Sequence, residues 1–422
     1  MRLDRQGGEL DWTTIFIYLL LVLLGWFNIY AAVFDDSIEL GLFDIGSDSG
    51  RQLMFIGAAL LIVTGVLILD FKFYDSFAYI IYIAFLLLLI GVLLFGKEVA
   101  GSRSWFQLGG FSFQPSEFAK FATVLALAKF LGEGHKKLDK LKNQAIALAI
   151  IGMPLGLTMI QGDTGTAMVY AALIAVLYRE GISPIYILLG LISVTVLVLT
   201  LLVSQVYLMI AIVVITLLVI AVNPRNNKRT AVVIVSAIII LGAVKSVDFI
   251  MTEVLQPHQQ NRVMAMVNPN IDPLGIGWNV TQSKIAIGSG GVWGKGYLQG
   301  TQTKFDFVPA QSTDFIFCTV GEEHGWIGSL ILLTLFTVLI LRIISISERQ
   351  KSTFARTYGY GVASIIFFHF TINIGMTVGL FPVIGIPLPF FSYGGSSLWS
   401  FTILLFILLK LDSHRMQVLE RL

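Results

Sequence analysis

A polytopic all-α membrane protein is the fold class this sequence predicts, on three observations. Hydrophobic residues make up 56% of the chain and charged residues 13%, whereas a soluble domain carries about 25% charged residues. The apolar residues also come in uninterrupted blocks long enough to cross a bilayer. Lysine and arginine, finally, are sorted unevenly between alternate loops, as they are in membrane proteins.

The blocks can be taken in order. The first, 13–33, follows MRLDRQGGELDW, which is too acidic for a signal peptide, and the block is too long for one, so it reads as a retained helix. Stretches at 53–69 and 77–95 come next. The polar segment GSRSWFQLGGFSFQPSE then leads into 116–131, which Pro115 and Ser116 open as a sound helix start. Blocks at 143–160 and 164–178 flank the turn QGDTGT, and 184–203 and 206–222 form a hairpin that inserts without changing the topology. The block 230–250 precedes a long loop at 251–313, after which 314–342, 357–381 and 395–411 complete about twelve transmembrane helices. One membrane domain, 1–422, with 251–313 as its large extracytoplasmic loop, is the simplest division.

With both termini on the cytoplasmic side, the inner segments hold 16 Lys and Arg and the short outer loops hold three. The long loop is excluded from that comparison because long segments translocate regardless of charge. Removing one span would spoil the sorting, so the number of spans is even. A net charge of +2 gives no sign of nucleic-acid binding, and the single cysteine, Cys318, excludes an intrachain disulfide. The five histidines are scattered without HExxH, CxxC or EF-hand spacing, so no dedicated protein metal cage is expected.

This topology brings distant polar residues to one membrane face. Arg103 lies in an outer loop, and Glu117 and Lys120 share a helix face at i, i+3. Asp163 lies in the QGDTGT turn, Asp314 begins the helix after the long loop, and Ser392 with Tyr393 belongs to the last outer loop. Charge inside a membrane is costly, so such a gathering reads as a site. Each residue also has a plainer reading. Glu117 suits the positive end of a helix dipole, Lys120 is its i, i+3 partner or snorkels to the interface, and Asp163 and Asp314 are candidate N-caps. Arg103 is equally an exposed loop cation.

The stretch from Gly275 to Thr313 is rich in glycine, with Lys284, Lys295, Lys304, Trp293 and Tyr297 interleaved. That mixture suits close backbone approach to a polar ligand. It has neither P-loop nor GxGxxG spacing, and WNVTQSKIAIG within it reads as an amphipathic helix on the membrane surface.

The strings QPSEFAKFA, QGDTGTAMV, NRVMAMVNPNIDPLGIGWN, KIAIGSGGVWGKGYLQGTQTKFDFVPAQSTDF and INIGMTVGLFPVIGIPLPFFSYGGSS closely resemble the shape, elongation, division and sporulation (SEDS) family of RodA and FtsW. Their order and spacing agree over nearly the whole chain, and the wording is closer to the RodA, or elongation, branch. The resemblance implies a peptidoglycan glycosyltransferase that polymerises lipid II beside a cross-linking class B penicillin-binding protein, within the elongation machinery of the bacterial inner membrane. It implies a catalytic aspartate at Asp314, a cavity acid and lysine at Glu117 and Lys120, and the DxGT acid at Asp163.

Two departures stand out. The family has about ten spans against the twelve counted here, the surplus being the 184–222 hairpin. PAQSTDF also lacks the charged residues that often precede the aspartate.

The chemistry follows from the implied substrate. Converting an α-linked sugar pyrophosphate into a β-1,4-linked glycan inverts the anomeric carbon, so one displacement suffices. It needs a base for the incoming hydroxyl and positive charge for the departing undecaprenyl pyrophosphate. Asp314, Glu117 and Lys120 are the expected catalytic residues. Arg103, Asp163, Lys284, Lys295, Lys304 and Ser392 are the expected substrate-binding residues. The cofactor stays open; the chemistry admits a divalent cation, Mg2+ or Mn2+, held with the substrate pyrophosphate. A lipid II flippase is the alternative reading.

Overall fold

In the computed structural model, residues 10–34, 41–99, 101–108, 111–133, 138–222, 227–249, 276–304 and 307–415 are described, together with 253, 260 and 264. The helices start where the local sequence lets them. Asp11 caps α1 (Trp12–Ala32), its carboxylate accepting from the Thr14 amide, and Ser47 and Asp70 cap α2 (Asp48–Ile68) and α3 (Phe71–Phe95) in the same way. Pro115 occupies the first turn of α4 (Pro115–Gly132), where its missing N–H costs nothing. After α5 (Leu141–Ile160), Asp163 caps α6 (Thr164–Val169); a 3₁₀ turn at Tyr170–Leu173 then leads into α7 (Ile174–Arg179).

Contacts divide the chain into two compact units, residues 1–182 with 279–422, and residues 183–278. The second contains the expected hairpin, α8 (Ile185–Leu202) and α9 (Gln205–Val222) joined through Val203 and Ser204, followed by α10 (Asn227–Phe249). The first unit resumes at Asn279 within α11 (Ile276–Ser289); a glycine-rich turn and the short α12 (Thr301–Lys304) then precede α13 (Ile316–Glu348), α14 (Thr353–Thr377) and α15 (Gly395–Ser413).

The helical, polytopic expectation is met. Among the described residues, eight helices are long and apolar enough to span a bilayer, with shorter apolar helices at Thr164–Arg179 and Val233–Val247. The count of twelve is therefore not confirmed. Two of the stretches fall short for visible reasons: α4 carries Glu117, Lys120 and Lys129, and Thr164–Arg179 is too short to cross a bilayer. A small sheet adds to the helical picture. Strands β1 (Lys97–Val99), β2 (Ser102–Leu108) and β3 (Phe111–Phe113) pair antiparallel in that order, with Phe106 opposite Phe113 and Leu108 opposite Phe111. The alternation in SRSWFQL and the glycines after it carry that signal.

Helix α4 is the hub of its unit. Nearly every side chain from Pro115 to Leu131 is buried, against α3, α5, α14 and α15. A helix enclosed by protein on all sides can carry charges that a lipid-facing helix cannot.

Helix α13 is broken at Gly325, whose backbone (φ 63, ψ −155) is accessible only to glycine. The glycine-rich turn repairs the break. Amides of Lys295 and Gly296 donate to the carbonyls of Glu322 and Glu323 at 3.0 Å, and the Trp326 and Ile327 amides donate to Gly291 and Val292. At Gly294 (φ 81) a side chain would collide with the Glu323 carbonyl. These glycines therefore serve backbone packing against α13, because irregular backbone within a membrane bundle needs internal partners.

Candidate functional site

Glu117 lies in the first turn of α4, but its carboxylate faces inward rather than serving the helix dipole. Lys120 Nζ donates to Glu117 Oε2 at 2.9 Å, and the side chains are only 1% and 3% exposed. A pair so desolvated needs further partners. Lys120 has them: His369 Nε2 of α14 lies 3.1 Å from its ammonium, and the Phe401 ring of α15 lies beneath it, 4.6 Å to the centroid. His369 Nδ1 in turn lies 3.1 Å from the Pro387 carbonyl, and its ring packs edge-on against Phe401. The Ser400 hydroxyl donates to the Glu117 carbonyl at 2.6 Å, fixing α15 against the same turn of α4.

One turn beyond His369 on α14, the Asn373 amide donates to the Asp314 carbonyl at 2.9 Å and to the Ile386 carbonyl at 2.8 Å. Positions i and i+4 share a helix face. That single face therefore holds both the Lys120 ammonium and the Asp314 backbone, and its two side chains reach the adjacent carbonyls of Pro387 and Ile386. Asp314 itself is half-buried. It is not the cap of α13, because Phe315 occupies that position.

Ser392 is buried, and both of its hydrogen-bonding roles are taken. Its hydroxyl donates to the Thr313 carbonyl at 2.6 Å and accepts from the Leu388 amide at 2.9 Å. The Tyr393 amide donates to the Ser312 carbonyl, and the Ser312 hydroxyl donates to Asp48. Ser392 therefore pins the strand of chain that carries Asp314. Burial and the nearby Asp48 carboxylate raise the Tyr393 phenol above its ordinary value, against the opposing pull of Arg51.

The other sequence candidates separate. Asp163 is the cap of α6, taking the Thr166 amide at 3.0 Å, while its second oxygen accepts from Gln114 and Ser116. It thus ties the α5–α6 turn to the start of α4, next to Glu117. Arg103 is exposed on β2 and pairs with Glu98 at 3.4 Å; only its backbone reaches inward, to the Gln161 carbonyl. Lys295 is committed to Glu322 at 2.6 Å. That buried carboxylate also accepts the amides of Thr301, Gln302 and Thr303, so it caps α12. Lys304 lies over the Phe34 ring. Lys284 is exposed, its ammonium beside Gly379 just past the end of α14, while its neighbour Ser283 donates to the Thr377 carbonyl.

Among the described residues no three metal-ligating side chains converge. Both Asp163 oxygens and Glu117 Oε2 are already occupied by N–H and O–H donors. His369 and Asn373 did not emerge from the sequence reading. The signal was present in HFTIN, where a histidine and an asparagine stand four apart, on one helix face, within a largely apolar block.

Comparison with known proteins bears on this arrangement. The family model for cell cycle proteins of the FtsW, RodA and SpoVE type matches residues 11–211 and 185–417, the two matches overlapping within the hairpin. The peptidoglycan glycosyltransferase RodA of Treponema pallidum is 32% identical, covering 98% of this chain and 99% of its own. The peptidoglycan glycosyltransferase MrdB of Escherichia coli K12 is 34% identical, covering 96% and 94%. Among solved structures, a chain from a peptidoglycan synthase complex that coordinates polymerization and crosslinking matches with a TM-score of 0.70 at 27% identity, covering 97% of this chain and 99% of that one. The crystal structure of the rod shape determining protein RodA of Thermus thermophilus matches with a TM-score of 0.63 at 25% identity, covering 96% and 97%.

Proposed function

The chain belongs to the FtsW, RodA and SpoVE family, and from that membership we infer a peptidoglycan glycosyltransferase of cell elongation whose reaction is polymerisation of lipid II around Asp314. The observation that carries the placement is the shared face of α14. His369 and Asn373, one turn apart, hold the Lys120 ammonium and the backbone of Asp314.

In this reading Asp314 orients the incoming 4-hydroxyl and accepts its proton as the oxygen attacks the anomeric carbon. The bond to the lipid pyrophosphate breaks on the opposite side of that carbon. The buried Glu117–Lys120–His369 group sets the field beneath Asp314. The exposed cations Lys284 and Arg103 meet the departing pyrophosphate. Lys295 and Lys304 keep the loop in place rather than binding substrate. Asp163 and Ser392 position α4 and the Asp314 segment. A divalent cation at this site would rest on Asp314 and the substrate's own phosphates.

The polymerising face is the extracytoplasmic side of the bacterial inner membrane, with both termini cytoplasmic. The lysine and arginine sorting supports that orientation. The partner is a class B penicillin-binding protein, supported by the match to a chain of a polymerising and cross-linking complex. The test is glycan-chain formation from lipid II by the purified chain, with and without a transpeptidase. Asp314→Asn is expected to lower the rate at least about a hundredfold, the range for losing a general base. A folded Asp314→Asn protein polymerising at the wild-type rate refutes the assignment.

A further inference from the structure

The role of His369 goes beyond this reading and rests on it. Its ring is fully buried between α4, α15 and the loop at 381–394, and two groups decide its protonation state. The Pro387 carbonyl can only accept, so the ring proton sits on Nδ1. The other nitrogen, Nε2, faces the Lys120 ammonium, which can only donate, so it carries a lone pair. A second ring proton there would set two cationic donors against each other in a buried site. The groups facing the ring are therefore Lys120 and, through it, Glu117 on α4, the Phe401 face on α15 and the Pro387 carbonyl.

We propose that His369 is a positioning residue for polymerisation: its ring, locked by Pro387, takes one hydrogen of the Lys120 ammonium and holds that cation in register with the Asp314 segment held by Asn373. The same short stretch, Ile386–Pro387, anchors both side chains. A shift of the last loop thus moves the cation and the aspartate together. A ring that merely filled space would need neither nitrogen.

The test separates the two nitrogens. In His369→Gln the side-chain oxygen can take the place of Nε2 toward Lys120. In His369→Asn the shorter amide can reach only Pro387, and His369→Phe keeps volume with neither bond. Lipid II polymerisation is measured for each full-length variant with its transpeptidase partner, alongside Lys120→Met, after melting temperatures confirm folding. We expect His369→Gln to keep kcat within about threefold. His369→Asn and His369→Phe should lose roughly ten- to hundredfold, the range for a hydrogen bond to a charged group. KM for lipid II should change less than about threefold, because the buried ammonium acts in the transition state rather than in substrate binding.

His369→Asn or His369→Phe at the wild-type kcat overturns the proposal, as does His369→Gln falling as low as His369→Phe. Lys120→Met at the wild-type rate removes instead the functional reading on which the proposal stands. The two failures are therefore distinguishable.

Discussion

Replacing Lys120 with methionine should be among the most damaging single substitutions in the chain, and the structure sets the size of the effect. Glu117 is 3% exposed and receives the Lys120 ammonium at 2.9 Å. A carboxylate stripped of its buried cation costs about 3–5 kcal/mol. His369 Nε2 also loses its donor, which adds about 1 kcal/mol. Methionine nearly matches the lysine stem in volume, so little of the loss comes from a cavity. The double variant Glu117→Gln with Lys120→Met removes both charges and should recover most of the stability, giving a coupling of about 3 kcal/mol. The assay is thermal unfolding of the purified protein in detergent. At roughly 2–4 °C per kcal/mol, Lys120→Met should melt on the order of 10 °C below wild type, with the double variant between them. A single variant melting with wild type, or a double variant no better than the single, refutes the buried-pair argument.

Two further outcomes follow from the same physics elsewhere. At the start of α1, burial opposes ionisation of Asp11, but hydrogen bonds from Arg342 and Thr14 outweigh it and hold the carboxyl at about 2, against 3.8. This depressed value contributes about 2 kcal/mol. The contribution is complete above the ordinary carboxylate range and disappears as pH falls from about 4 toward 2. Melting curves across that interval should steepen for wild type and flatten for Asp11→Asn; parallel curves contradict the linkage. At the break in α13, Gly325→Ala forces a side chain into a glycine-only conformation and against the Gly294 amide. It should cost at least about 2 kcal/mol and speed proteolysis within 290–304, read by melting temperature and limited digestion. An unchanged protein would show that the glycine turn does not brace the helix.

The helices were legible because apolar block length is nearly sufficient in a membrane, where backbone groups must bond within the helix. Caps such as Asp163 were legible too, since an acid before a short polar turn has few other uses. What the sequence hid was partnership. Glu117 and Lys120 read as an i, i+3 pair, but their third member lies 249 positions away on α14. The glycines around 290 read as a ligand cradle, yet they approach the backbone of α13, because close approach to a ligand and to a helix ask for the same missing side chain. Lys295 and Ser392 carried polar groups of the right kind at the right end of the bundle. Only the structure reveals that Glu322 and Thr313 had already claimed them.

The distribution of charge along the bundle also favours a polymerase over a transporter. One end gathers Glu117, Lys120, Asp163 and the Asp314 segment through bonds among α4, α6, α14 and α15. The opposite end gathers a separate network, in which Arg342 and Arg349 grip Asp11, and Arg349, Gln350 and Arg415 surround Asp412. Along α14 the two ends are separated by 13 residues, from Arg356, paired with Glu180, to His369. That is roughly 20 Å of helix. The buried side chains between them include Tyr358, Val362, Ala363, Ile365 and Ile366. A carrier for a charged headgroup needs polar contacts reachable in turn from both faces. Along α14, no charged side chain lies between Arg356 and His369, and buried hydroxyls of the described interior, such as those of Tyr170 and Thr357, are neutral; a pyrophosphate moving between the ends would lose its hydration without meeting a charge along that helix. The arrangement suits chemistry performed at one surface on a substrate that arrives there.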